Sequence, residues 1–194
     1  MHPSTLSDRI VTLPNALTAL RLALTPVFAA CVVRNASGAA LAVFAVAAIT
    51  DLLDGAAARL LDQRTKLGSY LDPIADKSLA FTAFVLLAWR GVLPVWLAAL
   101  VVARDAAVVG FYVTLRVRRS YQPRVRPSLL GKAATFFELS LVGVALIAAL
   151  AARPAWAVAL SDGLSVGTAL LIVTSAGQYV HHERRVIRSL LESR

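Results

Sequence analysis

The sequence predicts an all-α, polytopic integral membrane protein of six transmembrane helices, and three observations carry that expectation. Of the 194 residues, 58% are hydrophobic and only 16% are charged. A soluble domain of this size carries roughly a quarter charged residues, so the deficit makes lipid the main solvent. Second, the chain divides into six apolar stretches of near the length, about 20 residues, that a bilayer-crossing helix needs. Third, 20 Lys and Arg against 11 Asp and Glu leave a net charge of +9, and the basic residues cluster in particular connections. In a soluble protein that excess would suggest nucleic acid. In a membrane protein it marks cytoplasmic loops and anionic lipid or phosphate-bearing substrates, so no nucleic-acid partner is expected.

The elements follow in order. Residues 1–13 include Asp8 and Arg9 and are polar enough to stay outside the bilayer, and no small-residue cleavage site follows cleanly. The apolar run from Leu17 to Val33 is therefore read as part of a first span over 14–33. Further spans are expected over 39–60, 73–89, 94–115, 128–150 and 155–180. Asn35 to Gly38, Gly91 to Pro94, and Arg153-Pro154 are short turn-forming connections. The longer connections are 61–72 and 116–127, and residues 181–194 form a basic tail. The third span is expected to start near Asp72-Pro73, with Asp as cap and Pro in the first turn. No repeat or linker divides the chain, so 1–194 reads as one membrane domain. Cys31, the lone cysteine, is read as a buried inert thiol.

The basic residues set the orientation. Fourteen of them flank the amino terminus, the two longer connections and the carboxyl tail, against Arg34, Arg90 and Arg153 at the other ends of the spans. Both termini and the longer connections are therefore expected on the cytoplasmic side of the cell (inner) membrane. Asp51 lies twelve residues beyond Ala39, roughly 18 Å along the second span, and so in its cytoplasmic half. Asp76 lies one turn into the third span, so two helices bring carboxylates to a similar depth.

Residues 51–76 read DLLDGAAARLLDQRTKLGSYLDPIAD. Asp51 and Asp54 are three apart, Asp72 and Asp76 four apart, and either spacing places a pair on one helical face. A charged residue inside a span costs at least about 2.5 kcal/mol, so four carboxylates require strong compensation. Two divalent cations, Mg²⁺ or Mn²⁺, supply it, and such a pair binds the attacking and leaving oxygens of a phosphoryl transfer. The bland reading is that these aspartates only pair with Arg59, Arg64, Lys66 and Lys77. That reading suits Asp62 better than the four spaced aspartates, because the residues between them also fit a site. Gly55 and Gly68 leave room for a nucleotide against backbone, and Arg59 can reach a phosphate.

This segment resembles the CDP-alcohol phosphotransferase signature, D-x2-D-G-x2-A-R-x8-G-x3-D-x3-D, at every fixed position: Asp51, Asp54, Gly55, Ala58, Arg59, Gly68, Asp72 and Asp76. The stretch LPNALTALRLALTP of the first span is similar to the start of the phosphatidylglycerol-phosphate synthase and cardiolipin synthase branch. The resemblance implies transfer of a phosphatidyl group from CDP-diacylglycerol to an alcohol, with release of CMP. It implies that Asp51, Asp54 and Asp72 are metal ligands, and that Asp76 is a ligand and the base for the acceptor hydroxyl. Asp54, Gly55, Ala58, Arg59, Gly68 and Asp72 would form the nucleotide site. A homodimer is also implied.

Arg21, Arg104, Arg116, Arg126 and Lys132 are expected to bind the acceptor, each set against snorkelling or a local ion pair. Arg104 with Asp105 is alternatively a structural pair with another span. Glu138 is read as satisfying a buried polar partner, Asp162 as structural, and His181 and His182 as headgroup-facing. The five cations favour an anionic acceptor, with glycerol-3-phosphate preferred and phosphatidylglycerol the alternative. Two other classes of membrane protein predict different patterns. A small transporter predicts charges spread through the bilayer depth, and an intramembrane prenyltransferase predicts acidic motifs far apart in sequence.

Overall fold

The computed structural model describes residues 12–60, 66–117 and 129–192, and every element among them is helical. Helix α1 spans Leu13–Val33, α2 Ser37–Leu60, α3 Lys66–Trp89, α4 Val95–Val117, α5 Leu129–Leu150 and α6 Ala155–Glu192. The six expected spans correspond to these six helices. Thr12 caps α1, its hydroxyl accepting from the Asn15 amide at 3.4 Å, and Pro14 occupies the first turn, where a missing N–H costs nothing.

Three short turns reverse the chain at one end of the bundle. Asn35, with φ of 62°, follows α1; Gly91, with φ of 65°, follows α3; Ala152 and Arg153, with φ of 57° and 58°, follow α5. Each lets carbonyls of the preceding helix be capped before the next begins, as in Ala36 N–H to Cys31 O and Arg153 N–H to Ala148 O. The aspartate motif lies toward the opposite end of α2 and α3.

Two boundaries differ from expectation. Helix α3 starts at Lys66, so Asp72 is not a cap and Pro73 lies inside the helix. Leu67, Leu71 and Ile74 keep helical spacing through this stretch, and a membrane bundle tolerates the hydrogen bond that one proline removes. The connection after α2 is correspondingly shorter than 61–72. Helix α6 continues to Glu192, so most of the tail over 181–194 is helical. Its 38 residues reach about 57 Å, nearly twice a hydrocarbon core of about 30 Å, so one end must stand outside the bilayer.

Helix α1 packs on α2 and α3; α5 packs on α6 and α2; α3 reaches α4 and α5, and α4 reaches α6. Phe28, Phe44, Phe84, Leu87, Leu97 and Leu141 fill the centre, with the rings of Phe28 and Phe44 6.1 Å apart. Buried alanines, among them Ala40, Ala47, Ala83 and Ala145, let the helix backbones approach closely. Cys31 is half-buried against this core.

The outside is as apolar as the inside. Leu20, Val27, Ile49, Phe81, Phe136, Leu170 and Val173 are all exposed. In water such a surface would aggregate, whereas in lipid it is solvated. Stretches Asn15–Val33, Ala133–Leu150 and Ala155–Ser175 are long and apolar enough to cross a membrane, and Ser37–Asp51 and Lys77–Trp89 are shorter apolar stretches. The latter two lie on α2 and α3, the helices that carry the aspartate motif.

Candidate active site

Helix α2 carries Asp51, Asp54, Gly55, Ala58 and Arg59 on its last three turns, and α3 carries Gly68, Asp72 and Asp76 on its first three. Because α3 is already helical at Lys66, Asp72 and Asp76 occupy successive turns of one regular helix. Their four-residue spacing is thus a true shared face rather than a cap and a first turn. The backbone places all eight motif positions on these helical ends, which α1 joins by packing on both.

Asp51 is held from α1. The Arg21 guanidinium meets the Asp51 carboxylate at 2.7 Å, and the two ends of the pair differ sharply: the arginine side chain is 2% exposed and the aspartate 39%. The cation is thus anchored in the bundle while the carboxylate remains accessible. Asn15 and Thr18 are buried on the same face of α1, six and three residues before Arg21. Thr25 Oγ1 donates to the Arg21 carbonyl at 3.1 Å, and buried Thr50, beside Asp51, donates to Ala47 O at 2.7 Å. Asn15 and Thr18 were not anticipated from the sequence. The signal was present, since three polar residues at three-residue intervals in an apolar helix mark a face turned toward something polar.

A second charged cluster ties α3, α4 and α5 together. Lys77 Nζ donates to Asp105 Oδ1 at 2.8 Å, Arg104 Nη1 donates to the same oxygen at 2.8 Å, and Arg104 Nη1 lies 3.5 Å from Glu138 Oε1. Two cations face two carboxylates, so the group is neutral. Lys77 follows Asp76 directly, and its bond to α4 fixes the rotation of α3 about its own axis next to the motif. The buried Glu138 has its expected polar partner in Arg104, as the sequence anticipated. Asp162 is exposed on α6.

The five acceptor candidates fall into different settings. Arg21 and Arg104 are engaged by carboxylates of the protein itself. Arg116 lies on the last turn of α4 and Lys132 on the first turn of α5, and Arg126 lies outside the described residues. The side chains of Arg116 and Lys132 also lie outside the described residues, so Arg21 and Arg104 are the candidates whose contacts are described.

The donor chemistry fits divalent cations. Four carboxylates on two helices are hard oxygen ligands of the kind Mg²⁺ and Mn²⁺ accept, and Asp51 keeps accessible surface although a buried guanidinium touches it. The side chains of Asp54, Asp72 and Asp76 lie outside the described residues, and among the others no group of three acidic, His or Cys side chains forms a metal cluster.

A six-helix bundle with an apolar exterior and an aspartate motif at adjoining ends of α2 and α3 has the architecture of a polytopic membrane protein. The family model described as CDP-alcohol phosphatidyltransferase matches residues 11–179. A cardiolipin synthase (CMP-forming) of Streptomyces coelicolor is 38% identical over 94% of this chain and 87% of its own length. The human cardiolipin synthase (CMP-forming) is 34% identical over 91% of this chain, which spans 63% of that protein. A probable phosphatidylglycerophosphate synthase of Mycobacterium tuberculosis is 37% identical over 70% of this chain and 66% of its own length. The chain belongs to the CDP-alcohol phosphatidyltransferase family. It is a transferase of phospholipid biosynthesis, and the family implies CDP-diacylglycerol and an alcohol as substrates in a lipid environment.

Proposed function

We propose that this protein transfers the phosphatidyl group of CDP-diacylglycerol to phosphatidylglycerol, releasing CMP and forming cardiolipin. The observation that carries the acceptor is that the relatives aligning over 94% and 91% of the chain are both named cardiolipin synthase (CMP-forming). The charge distribution supports the same choice. With Arg21 and Arg104 engaged internally, fewer cations remain for the acceptor than the sequence suggested. A phosphodiester with one negative charge asks for fewer than the phosphomonoester of glycerol-3-phosphate. Glycerol-3-phosphate, favoured on sequence alone, is the second reading, supported by the Mycobacterium tuberculosis relative.

In this reading Asp51, Asp54, Asp72 and Asp76 hold two divalent cations, Mg²⁺ or Mn²⁺. When bound, these neutralise the donor diphosphate and stabilise the leaving CMP. Arg21 fixes the Asp51 carboxylate from a buried position, so its orientation is set before substrate arrives. Arg59 binds a donor phosphate, while Gly55, Ala58 and Gly68 let the nucleotide lie close to backbone. The acceptor hydroxyl oxygen forms a bond to the phosphorus that bears diacylglycerol. The bond from that phosphorus to the CMP oxygen breaks, CMP leaves with the electron pair, and the hydroxyl proton passes to the Asp76 carboxylate. Arg116, Arg126 and Lys132 attract the acceptor phosphate. The active site faces the cytoplasm across the cell (inner) membrane, and the working unit is a homodimer.

The test is an assay of the purified full chain with labelled CDP-diacylglycerol, Mg²⁺ or Mn²⁺, and separate acceptors. The expected products are CMP and cardiolipin from phosphatidylglycerol. Phosphatidylglycerol phosphate from glycerol-3-phosphate, with no cardiolipin, would replace this acceptor by the second reading, and efficient use of serine alone would remove both. Topology is tested by labelling single cysteines in a Cys31→Ala background. Positions Gln63 and Gln122 should react from the cytoplasm and Ser37 from outside, and external labelling at Gln63 overturns the orientation.

A further inference from the structure

At the end of the bundle away from the aspartates, the three short turns enclose a cavity of about 410 Å³. Asn35 and Ser37 line it from the first turn, Arg90 from the second, and Ala149, Ala152 and Arg153 from the third, with apolar side chains of α1, α3 and α5 completing the wall. Asn35, Ala152 and Arg153 are exposed, so the cavity opens to the surface. Its distance from the reaction centre follows from helix rise. Ser37 and Asp51 are fourteen residues apart on α2, and Asp76 and Arg90 fourteen apart in sequence from α3 onward, about 21 Å in each case. The cavity is a separate place in the molecule.

Its charge is one-sided. The three turns contain Arg34, Arg90 and Arg153 and no acidic residue, and two of these three arginines line the cavity. Neither Arg90 nor Arg153 has a carboxylate partner among the described residues. Arg153 is held in place by its own turn. Nη1 donates to the Gly91 carbonyl at 3.1 Å, and Ala152 and Arg153 both adopt left-handed backbone, which is unfavourable for residues with a Cβ. The strained turn thus brings Arg153 to the turn that follows Arg90.

A second, independent feature says what bathes this end. All three tryptophans of the chain lie here: Trp89 at the end of α3, Trp96 at the start of α4 and Trp156 at the start of α6. They are 68%, 53% and 62% exposed. Exposed tryptophans gathered at one level of a membrane protein mark the headgroup region, where an apolar ring with a polar N–H is most stable. The cavity and its two arginines therefore sit at the depth of lipid phosphates.

We propose that this cavity binds the phosphate headgroup of an anionic phospholipid from the leaflet opposite the aspartates. Arg90 and Arg153 take the phosphate oxygens, Asn35 and Ser37 offer hydrogen bonds to the polar part of the headgroup, and the acyl chains leave along the apolar outer faces of the helices. A zwitterionic phosphatidylcholine headgroup has the same phosphate but adds a cation, which the two arginines repel.

The tryptophans make the site readable. The full chain is reconstituted in phosphatidylcholine bilayers, and fluorescence quenching by phosphatidylglycerol brominated at carbons 6 and 7 is compared with quenching by phosphatidylcholine brominated likewise. At headgroup depth each arginine is expected to contribute about a fivefold preference for the anionic lipid, so Arg90→Gln should lower the preference by about that factor. Arg90→Lys should restore most of it. Ala149→Phe, which fills the cavity and leaves both arginines and the Arg153–Gly91 bond in place, should lower the preference as well and keeps the test valid if Arg90→Gln does not fold. Equal quenching by the two lipids in the unmodified protein, or an unchanged preference in both Arg90→Gln and Ala149→Phe, would overturn the proposal. Loss of the preference on adding inorganic phosphate, beyond the loss caused by sodium chloride at equal ionic strength, would assign the site to a free phosphate group instead of a lipid.

Discussion

Two charged clusters occupy neighbouring helices of this bundle, and they are built differently. In the Arg21–Asp51 pair the arginine is buried and the aspartate is 39% exposed. In the Lys77–Asp105–Arg104–Glu138 cluster both carboxylates are covered, at 14% and 2% exposure, and the charges balance within the group. The first arrangement leaves a positioned carboxylate facing outward, where a cation or substrate can reach it. The second closes on itself and joins three helices. A membrane protein bears the cost of intramembrane charge in both cases, but among these described carboxylates Asp51 keeps the most exposed surface. The closed one ties α3 to α4 and α4 to α5 directly beyond the motif.

That contrast can be broken by substitution, and the largest expected effect is at the open end. Asp51→Asn, Asp54→Asn, Asp72→Asn and Asp76→Asn should each lower CMP release at least about a hundredfold, with the protein still inserted in the membrane. Asp76→Asn should keep substantial metal binding by titration if its main role is that of base. Normal turnover in any of the four would defeat the scheme of two cations held by four aspartates.

Next in size is the closed cluster. Asp105 is shared by Lys77 and Arg104, so Asp105→Ala strands Lys77 and leaves Arg104 only the more distant Glu138. It should destabilise the folded protein by about 3–5 kcal/mol, read as a fall in the midpoint of thermal unfolding in detergent. Turnover per folded molecule should fall much less than in the aspartate-motif variants. A variant that unfolds normally but loses turnover a hundredfold would show that the closed cluster belongs to the chemistry.

A smaller effect is expected at Arg21→Lys. Lysine keeps the charge but loses the planar fork, so Asp51 is oriented less well. Turnover should drop by roughly tenfold, about 1.4 kcal/mol in the barrier, with the KM for the donor changing less. A change confined to the donor KM would instead make Arg21 a binding residue.

The smallest effects separate the acceptor candidates. Lys132→Gln should raise the acceptor KM by roughly fivefold with kcat nearly unchanged, whereas Arg104→Gln should act mainly on stability. A reversed pattern, in which Arg104→Gln raises the acceptor KM and Lys132→Gln does not, would return Arg104 to the acceptor site and reopen the choice between phosphatidylglycerol and glycerol-3-phosphate.

Much of the architecture was legible before any coordinates. Six helices could be placed to within a few residues at most ends, because lipid requires every backbone polar group to be paired within its own segment and so makes length and apolarity nearly sufficient. The motif between Asp51 and Asp76 was legible because its spacing is local and helical. Where the reading slipped, a short-range rule met a longer-range context. Asp72-Pro73 has the form of a helix start, yet α3 begins at Lys66, since neighbouring helices and apolar spacing outweigh one lost hydrogen bond. Helix α6 runs on through a stretch whose charge suggested only a tail.

The sequence by itself determined the solvent, the number of helices, the family signature and the order in which four aspartates appear along two helical faces. These follow from composition and from spacings shorter than about two helical turns. Only the tertiary structure decided which charges meet. Arg21 and Asp51 are 30 residues apart, and Lys77 and Asp105 are 28 apart. No periodicity within one helix specifies how another helix is rotated against it. That choice depends on which small residues let the backbones approach and on which buried cation must find a carboxylate. It also sets apart Arg104, whose charge is used inside the bundle, and gathers Arg90 and Arg153 from different turns around one cavity.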